Sequence, residues 1–523
     1  MAANISASRM RQAQLSAKRT AKTASVPAPI GGWNARDALA SMDEKDAIKL
    51  ENFWPFPYDV MVRKGYTQHT TGLPGQVESL MTYSNPTTQT LFAACGTGFY
   101  NVGAGGAVGA AVVTGLTNAR WQHVNVATSG GNFLLAVNGL DKLRGWNGTA
   151  WWADGDGTHD ITGVNTANCY NINLFKNRVW LIEKNSLKVW YLPTDSIAGA
   201  ANSLNFQSVA RKGGYLLAMG TWTIDAGYGV DDLAVFLTSM GEVIVYRGID
   251  PSNSVTWALA GIWQIGPAFT PRCLMKWGGD LLLLTIDGLY PLAQYLQSSR
   301  LNPKIALSDK IYSALSEATA NYNSNFGWGL EFFPKANMLI LNVPLMEGAS
   351  QQQYCMNTIT GAWTNFTGIG ANCWAIFNDD PYFGGNGYVG KFWNSLSDDG
   401  ANIVGNAKQA FNYFKMRGQT KRWTMIRPTL RTNGTPTALI SVNVDFSDFD
   451  PTGELVFAGT SSGLWDAALW DTGLWGADLN VSNIWQGVNG QGYCCAVRLK
   501  VASAGIETHW ASTDFVMEGG GSL

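Results

Sequence analysis

Charged residues are scarce in this chain of 523 residues: Lys, Arg, Asp and Glu together make up 14%, against about 25% in an average soluble domain. Long helices and coiled coils depend on Ala, Leu, Glu and Lys, so the composition disfavours both. Hydrophobic residues account for 46%, and Gly occupies 59 positions. The chain can therefore bury a sizeable core, and the composition predicts an all-β protein of many short strands and tight turns.

Membrane and disulfide signals are also missing. The least polar uncharged stretch, residues 102–116, is shorter than the roughly 20 residues that a membrane-spanning helix needs. No apolar run follows the basic N-terminus, so a secretory signal is not predicted. The seven Cys residues are scattered without a Cys-x-x-Cys pair, which indicates free thiols in a reducing cytoplasm rather than a disulfide framework or a zinc site.

Positive charge is concentrated at the N-terminus. Residues 1–36 hold six Lys or Arg and no Asp or Glu, and the net charge of the whole chain is −2, so the remainder is mildly acidic. We assign residues 1–30 to a basic N-terminal arm. The arm is either a solvated, disordered tail or a segment that orders on an acidic partner or a nucleic acid.

A short helix is predicted in the next segment, residues 31–74. Ser41 and Glu44 form a capping box at which a helix can begin, and apolar residues follow at near-helical spacing: Ala47, Ile48, Leu50 and Phe53. Pro55 and Pro57 prevent continuation. The pattern predicts a helix over about residues 42–53.

Residues 75–395 show a degenerate repeat. Apolar runs with strand-like alternation flank Gly-, Asn- and Asp-rich turns that recur about every 45–55 residues, which is typical of β-propeller blades with four short strands each. Counting the repeats gives about seven blades, with six or eight as alternatives. One helix interrupts them, beginning at Asp309, with an apolar face that includes Ile311 and Leu315.

The last part of the chain, residues 396–523, is predicted to form a separate C-terminal β domain. Residues 441–446 and 497–501 alternate between apolar and polar side chains, which indicates strands with one buried and one wet face. Between them, Trp465, Trp470 and Trp475 recur every five residues, a period that fits neither helix nor strand. These indoles either pin a loop to the sheet or form an aromatic surface for a neighbouring subunit.

No catalytic, cofactor-binding or metal-ligating residue is assigned. Residues 385–391 resemble a phosphate loop, but Phe392 stands where Ser or Thr should hold magnesium, so we interpret them as a turn. Residues 154–160 place side-chain oxygens at alternate positions, as calcium loops do; His159 at the sixth position favours a simple turn, with a calcium site as the alternative. The four His residues are isolated, and the paired carboxylates at residues 231–232, 379–380 and 398–399 would suit a glycosidase only if two of them converged.

Two stretches resemble a known family. The first reads Gly-Trp-Asn-Ala-Arg-Asp at residues 32–37, Met-Asp-Glu-Lys-Asp-Ala at 42–47 and Val-Arg-Lys-Gly-Tyr at 62–66. The second reads Lys-Arg-Trp at 421–423, Leu-Trp-Asp at 464–466 and 469–471, and Trp-Gln-Gly at 485–487. Together they resemble the tail nozzle (tail hub, DNA-stabilisation) proteins of short-tailed bacteriophages, from about residue 31 to the end of the chain.

The resemblance implies a virion structural protein without catalytic residues: a β-propeller body with an added β domain. Six copies would form a ring below the portal and its head-to-tail adaptor, retain and then conduct double-stranded DNA without sequence-specific binding, and anchor tail fibres or spikes. Such a protein belongs to the virion tail and is assembled in the host cytoplasm. The candidate interface residues are Trp33, Arg36, Asp37, Trp465, Trp470 and Trp475. The alternatives are a propeller-fold enzyme that degrades polysaccharide and a carbohydrate-binding tail protein.

Overall fold

The chain folds into two compact units in the computed structural model, which describes residues 21–225, 230–297, 303–457 and 479–522. The first unit, here called the terminal unit, comprises the described residues up to Arg63 together with those from Ala401 onward. The second, here called the central unit, is Lys64–Gly400. The boundaries between the two units fall at residues 63/64 and 400/401. The sequence pattern predicts narrower bounds for the repeats, residues 75–395.

The central unit is built from small antiparallel sheets, which we number as blades 1–7 in chain order. Blade 1 contains residues 77–84 of the long strand Gly65–Ser84, with Gln89–Cys95 and Gly98–Asn101. Blade 2 contains Gln122–Thr128, Gly131–Val137, Arg144–Trp146 and Trp151–Ala153. Blade 3 contains Cys169–Phe175, Arg178–Glu183, Lys188–Tyr191 and Asn202–Asn205.

The remaining blades follow the same order. Blade 4 contains Leu216–Asp225, Val230–Thr238, Glu242–Arg247 and Ala258–Gln264. Blade 5 contains Leu274–Trp277, Asp280–Thr285 and Gly288–Pro291. Blade 6 contains Gly329–Phe333, Met338–Met346, Ser350–Asn357 and Trp363–Phe366. Blade 7 contains Cys373–Phe377, Asp380–Gly384, Asn386–Ser395 and residues 65–76 of the long first strand.

The first strands of the blades form a closed ring. Each contacts the first strand of the next blade, and that of blade 7 returns to the strand Gly65–Ser84. This long strand closes the ring because its first half pairs with blade 7 and its second half begins blade 1. Among the described residues the ring has seven blades, so the all-β propeller class and the expected blade number are confirmed.

Helical structure is sparse and lies beside the blades. The expected helix near Asp309 is present as a 3-10 turn, Asp309–Ile311, followed by the α-helix Tyr312–Tyr322, whose buried face includes Leu315. A short helix, Leu292–Gln297, follows blade 5. The other elements are 3-10 turns at Thr166–Asn168, Pro303–Ile305 and Pro334–Ala336, and two-residue strands at Gly106–Ala107, Ile161–Thr162 and Gly199–Ala200. Within the described ranges, no helix is both long and apolar enough to cross a membrane.

The blades pack face to face, which explains the continuous apolar runs in their middle strands. In Asp280–Thr285, all four Leu side chains are buried, because a sheet between two neighbours has no wet face. Aromatic side chains fill the spaces between blades: the rings of Trp180 in blade 3 and Phe236 in blade 4, for example, lie 5.8 Å apart. Part of the Trp-rich composition is thus used to build the core.

The terminal unit is a sandwich of two sheets. One sheet contains Ala21–Pro27, Phe53–Pro55, Val60–Val62, Gln419–Thr432, Asn480–Ser482, Gln486–Gly492 and Thr508–Ser522. The other contains Gly32–Trp33, Asp46–Glu51, Ile403–Gln409, Thr437–Val444, Gly453–Glu454 and Cys495–Ser503. The main core lies between them, with Trp423, Trp510 and Phe515 from the first sheet and Leu50 and Leu499 from the second.

The predicted helix over residues 42–53 is wrong. This segment forms the strands Asp46–Glu51 and Phe53–Pro55, and Ala47 pairs with Trp33 on one side and Gln409 on the other. The capping box does not form: the Ser41 hydroxyl bonds to the Ala38 carbonyl, and Glu44 accepts from Asn412. Pairing with residues distant in sequence has overridden the local helical spacing.

Two further expectations need correction. Residues 21–27 of the predicted arm form a strand that pairs with Thr508–Ser522, and residues 1–20 lie outside the described part of the chain. The strands near residues 441 and 497 exist and pair with each other, but they do not have one wet face each. Asn443 and Arg498 are buried on the expected wet side, because the following segment folds over it: Asn443 donates to the carbonyls of Ser447 and Phe449, and Arg498 binds Asp448.

Candidate functional site

The first strands of all seven blades line a central cavity of about 260 Å³. Its walls carry apolar and amide side chains together with His123 from blade 2, Arg272 just before blade 5, and Glu331 from blade 6. All three are only partly buried, so solvent reaches the cavity. A concave site with a few convergent polar groups is the usual form of a ligand pocket.

Arg272 is held in place by neutral oxygen atoms. Its Nη2 donates to Ser79 Oγ at 2.8 Å, to the Trp121 carbonyl at 3.2 Å and to the Glu78 carbonyl at 3.3 Å. Its guanidinium also lies 5.0 Å from the centre of the Phe326 ring. Burial lowers its pKa, but arginine starts so high that the group keeps its charge at neutral pH.

The other titratable groups of the cavity have shifted pKa values. Burial, and then the positive charge of Arg272, lower the pKa of His123 to about 4, so the imidazole is neutral at pH 7. Burial raises the pKa of Glu331 to about 7. Burial likewise raises the pKa of the Cys373 thiol to about 12. Of these groups, only Glu331 changes charge near neutral pH.

The predicted interface residues Trp33, Arg36 and Asp37 lie together in one tight loop of the terminal unit. Asn34, which is buried, holds the loop: its Oδ1 accepts from the backbone N–H groups of Arg36 and Asp37, and its Nδ2 donates to the carboxylates of Asp37 and Asp46 at 2.9 and 2.7 Å. Arg36 and Asp37 form an exposed ion pair at 2.8 Å. Trp33 is half-buried and packs against the core of the unit.

The backbone of this loop is fixed as closely as its side chains. Gly32 and Trp33 pair in parallel with Asp46 and Ala47. A Cβ atom on Gly31 would lie only 2.2 Å from Asp46 Oδ1, so no larger residue fits there without a shift. The other predicted interface residues, Trp465, Trp470 and Trp475, lie outside the described residues.

A buried charge network lies elsewhere in the terminal unit. His509 faces Asp59 through Nδ1 at 3.0 Å and Glu507 through Nε2 at 2.9 Å, and Arg431 also contacts Asp59. Burial alone would lower the pKa of His509, but the hydrogen bonds to the two carboxylates outweigh it and raise that pKa. Only the protonated imidazole can donate to both carboxylates.

The carboxylate oxygens of the loop at residues 154–160 accept hydrogen bonds from nearby residues of the chain. The Asp154 carboxylate accepts from the Ile161 N–H and the Thr166 hydroxyl, and Asp156 accepts from two backbone N–H groups and bonds the His159 ring. Within the described ranges, no group of three or more metal-ligating side chains is found. Residues 385–391 likewise form the turn and strand of a hairpin in blade 7.

Two carboxylates, one from each of two of the predicted pairs, are engaged with lysines on separate blades. Asp232 of blade 4 binds Lys176 at 3.0 Å, and Asp380 of blade 7 binds Lys335 at 2.9 Å and Lys391 at 2.7 Å. Burial would raise the pKa of each carboxyl, but hydrogen bonds from the lysines lower it. Both groups therefore stay ionised and are poor proton donors for the glycosidase alternative.

The fold defines the chain as a β-propeller protein. No protein-family model and no curated protein sequence matches it. Among solved structures, a protein described as a 6-phosphogluconolactonase from Bacteroides fragilis is 13% identical, with 63% of this chain and 89% of that chain covered and a TM-score of 0.34. The β-propeller domain of Cps50 (Swd1) from Myceliophteria thermophila is 12% identical, with 61% and 99% covered and a TM-score of 0.38.

Raptor from Chaetomium thermophilum is also similar, at 10% identity and a TM-score of 0.37, and the match spans 63% of this chain but 29% of Raptor. At these identities and TM-scores, the similarities carry no inference about activity or partners.

The sequence alone did not point to the cavity residues. His123, Arg272 and Glu331 are separated by more than 50 positions and belong to no motif. A usable signal exists, however: each lies in or just before the first strand of a repeat unit, and the first strand of every propeller blade faces the axis.

Proposed function

We propose that the protein is a virion structural protein, a subunit of the tail nozzle (tail hub) ring of a short-tailed bacteriophage. In this role six copies form a ring attached below the portal and its adaptor. The ring retains double-stranded DNA, conducts it during ejection and anchors tail fibres or spikes. The protein acts mechanically in the virion tail and needs no catalytic residue.

The observation that carries this proposal is where the family-like stretches lie. They are separated by more than 350 residues in sequence, yet the described parts of both belong to the terminal unit, apart from Lys64, Gly65 and Tyr66 at the start of the central unit. Lys421 and Trp423 of the second stretch are buried in that unit, as are Gly32 and Asp46 of the first. This shared location in one folded unit supports the proposal.

The loop at residues 32–37 has the properties of an assembly contact. It is rigid, because Asn34 and the paired strand Asp46–Glu51 fix it, and it exposes the Arg36–Asp37 ion pair. Preorganised contacts lose little entropy when subunits associate. The low charge of the chain also suits a DNA conduit, since each Lys or Arg contact to phosphate would add salt-dependent affinity and hinder sliding.

Oligomeric state is the direct test. Native mass spectrometry and negative-stain electron microscopy of the purified full-length protein should show a closed ring of six copies. Purified phage particles should contain the protein in the same stoichiometry. A protein that stays monomeric at every concentration and is missing from virions contradicts the proposal.

A charge reversal tests the contact surface. Arg36→Glu is expected to reduce the fraction of protein in rings, because it breaks the exposed pair with Asp37 and repels whatever acidic group faces it. Arg247→Glu is the matched control: Arg247 is also exposed but lies in blade 4. Rings that are equally weakened by both variants, or by neither, argue against the loop as a subunit contact.

A further inference from the structure

The axial cavity of the central unit contains a positive charge, that of Arg272, which is in no ion pair with a carboxylate among the described residues. The three side-chain hydrogen bonds of Arg272 all leave from Nη2 and end on neutral oxygen atoms, and among the described residues the guanidinium forms no ion pair. The nearby Glu78 carboxylate is already bound by Arg120 at 2.9 Å. The remaining N–H groups of the guanidinium are suited to a carboxylate or phosphate group.

Asn171, which lines the same cavity, has an unused acceptor. Its Nδ2 donates at 3.3 Å to the carbonyl of Pro271, the residue before Arg272. Its Oδ1 is buried and has no hydrogen-bond partner within the described part of the chain. A buried acceptor without a donor is unfavourable, and a ligand hydroxyl or N–H group would satisfy it.

His123 completes the polar wall without adding charge. It lies in the first strand of blade 2, two positions after Trp121, whose carbonyl accepts a hydrogen bond from Arg272. Because its imidazole stays neutral, it offers one donor and one acceptor at once. The apolar side chains of Ile172, Met219 and Leu330 line the rest of the cavity.

We infer that the axial cavity binds a small organic anion that also carries hydroxyl groups, such as a sugar acid or a sugar phosphate. The anionic group lies against Arg272, and its hydroxyl groups bond to Asn171 and His123. The volume of about 260 Å³ limits the ligand to roughly the size of a monosaccharide. This binding site is independent of the proposed role in a tail ring.

Glu331 makes the affinity depend on pH. The titratable groups that line the cavity are His123, Arg272, Glu331 and Cys373, and only Glu331 changes charge between about pH 6 and pH 8. Its carboxyl is neutral at the acidic end and repels an anion at the basic end. Because the Glu331 carboxylate and the bound anion share one partly solvated cavity, the anion should bind about tenfold more weakly at pH 8 than at pH 6.

Isothermal titration of the full-length protein with two matched probes tests the site. D-Glucuronate and D-glucose differ by one carboxylate, which stays ionised over this pH range. We expect D-glucuronate to bind with a Kd of about 1 mM or tighter, at least tenfold more tightly than D-glucose. Inorganic phosphate is the third probe: tighter binding of phosphate than of D-glucuronate identifies the anionic group as a phosphate.

Variants separate the cavity from adventitious binding. Arg272→Gln should remove the preference for D-glucuronate over D-glucose. Arg272→Lys keeps the positive charge and should retain part of this preference, so it still tests the site if the Gln variant folds poorly. Glu331→Gln should bind D-glucuronate about as tightly as the wild type does at pH 6, and its affinity should not change between pH 6 and pH 8. Arg247→Gln, an exposed arginine in the same unit, should bind like the wild type.

The proposal fails if neither anion binds more tightly than D-glucose. It also fails if anion binding survives Arg272→Gln unchanged, or if Arg247→Gln weakens it equally. If the affinity of the Glu331→Gln variant for the anion falls with rising pH as that of the wild type does, Glu331 is not part of the binding site. None of these results bears on ring formation, so the two proposals can fail separately.

Discussion

Asn34 is the centre of the loop that carries the family resemblance, and its removal gives the sharpest stability prediction. Two of its four hydrogen bonds are to backbone N–H groups and contribute about 1 kcal/mol each, and two are to carboxylates and contribute about 2 kcal/mol each. Because Arg36 and Asp37 are partly exposed, water recovers part of this loss. We expect Asn34→Ala to lower the free energy of unfolding of the terminal unit by about 3–4 kcal/mol.

Asn34→Asp tests the charge part of this reasoning. The new carboxylate keeps an acceptor for the backbone but loses the N–H donor, and it lies beside the carboxylates of Asp37 and Asp46. Like charges raise the pKa of such a group, so the variant should be less stable than Asn34→Ala at pH 7. It should recover part of the difference near pH 5, where the new carboxyl is protonated.

Urea unfolding, followed by Trp fluorescence and circular dichroism, measures these changes, with the transitions of the two units fitted separately. Asn85→Ala is the matched control. Asn85 also accepts two backbone N–H groups, from Thr87 and Thr88, but it does so in an exposed turn of the central unit and bonds to no carboxylate. It should cost about 1 kcal/mol or less. A loss below about 1 kcal/mol for Asn34→Ala would refute the reasoning.

Two further predictions concern single groups. The folded pKa of His509 lies above its ordinary value, so its stabilising contribution is complete below about pH 6.5 and is lost as the pH rises through the folded pKa. The terminal unit should therefore resist urea better at pH 6 than at pH 8.5, and His509→Gln should remove most of that difference; an unchanged difference contradicts the assignment. In blade 2, a Cβ on Gly145 would lie 2.1 Å from the Trp152 ring, so Gly145→Ala should cost about 2–3 kcal/mol. Gly370→Ala, with nothing within 4 Å, should change stability by less than about 0.5 kcal/mol in the same thermal or urea assay.

The propeller could be predicted from sequence because its signals are local. The apolar middle strands, such as Asp280–Thr285, are separated by Gly- and Asn-rich turns at a regular spacing, and each blade folds largely from consecutive residues. The helix at Tyr312–Tyr322 could be found for the same reason. Its buried Leu315 and Ala318 stand three positions apart within a single turn of helix.

The terminal unit was harder to predict because its contacts join distant parts of the chain. Ala47 and Leu50 have helical spacing, but their pairing partners include Gln409 and Ala407, more than 350 positions away. The wet face expected for residues 441–446 is likewise covered by a segment that the alternation cannot reveal. Periodicity reports which side chains are buried, but not which distant strand buries them.

The two candidate sites, the loop at residues 32–37 and the axial cavity, also differ in how far the sequence predicts them. The loop with Trp33, Arg36 and Asp37 is contiguous, so a family resemblance could point to it. The cavity residues Arg272 and Glu331 become neighbours only when the ring of blades closes, and no local spacing encodes that. Charged residues in first strands are the feature to look for in other propeller sequences.

The strand Gly65–Ser84 joins the first and last blades, and this has a consequence for the evolution of the chain. Tyr66 donates its N–H to Ser397 and accepts from Asp399, so the polypeptide enters and leaves the central unit at nearly the same point. A module whose two ends meet can be excised, replaced or gained as a cassette with a linker of a few residues in its place.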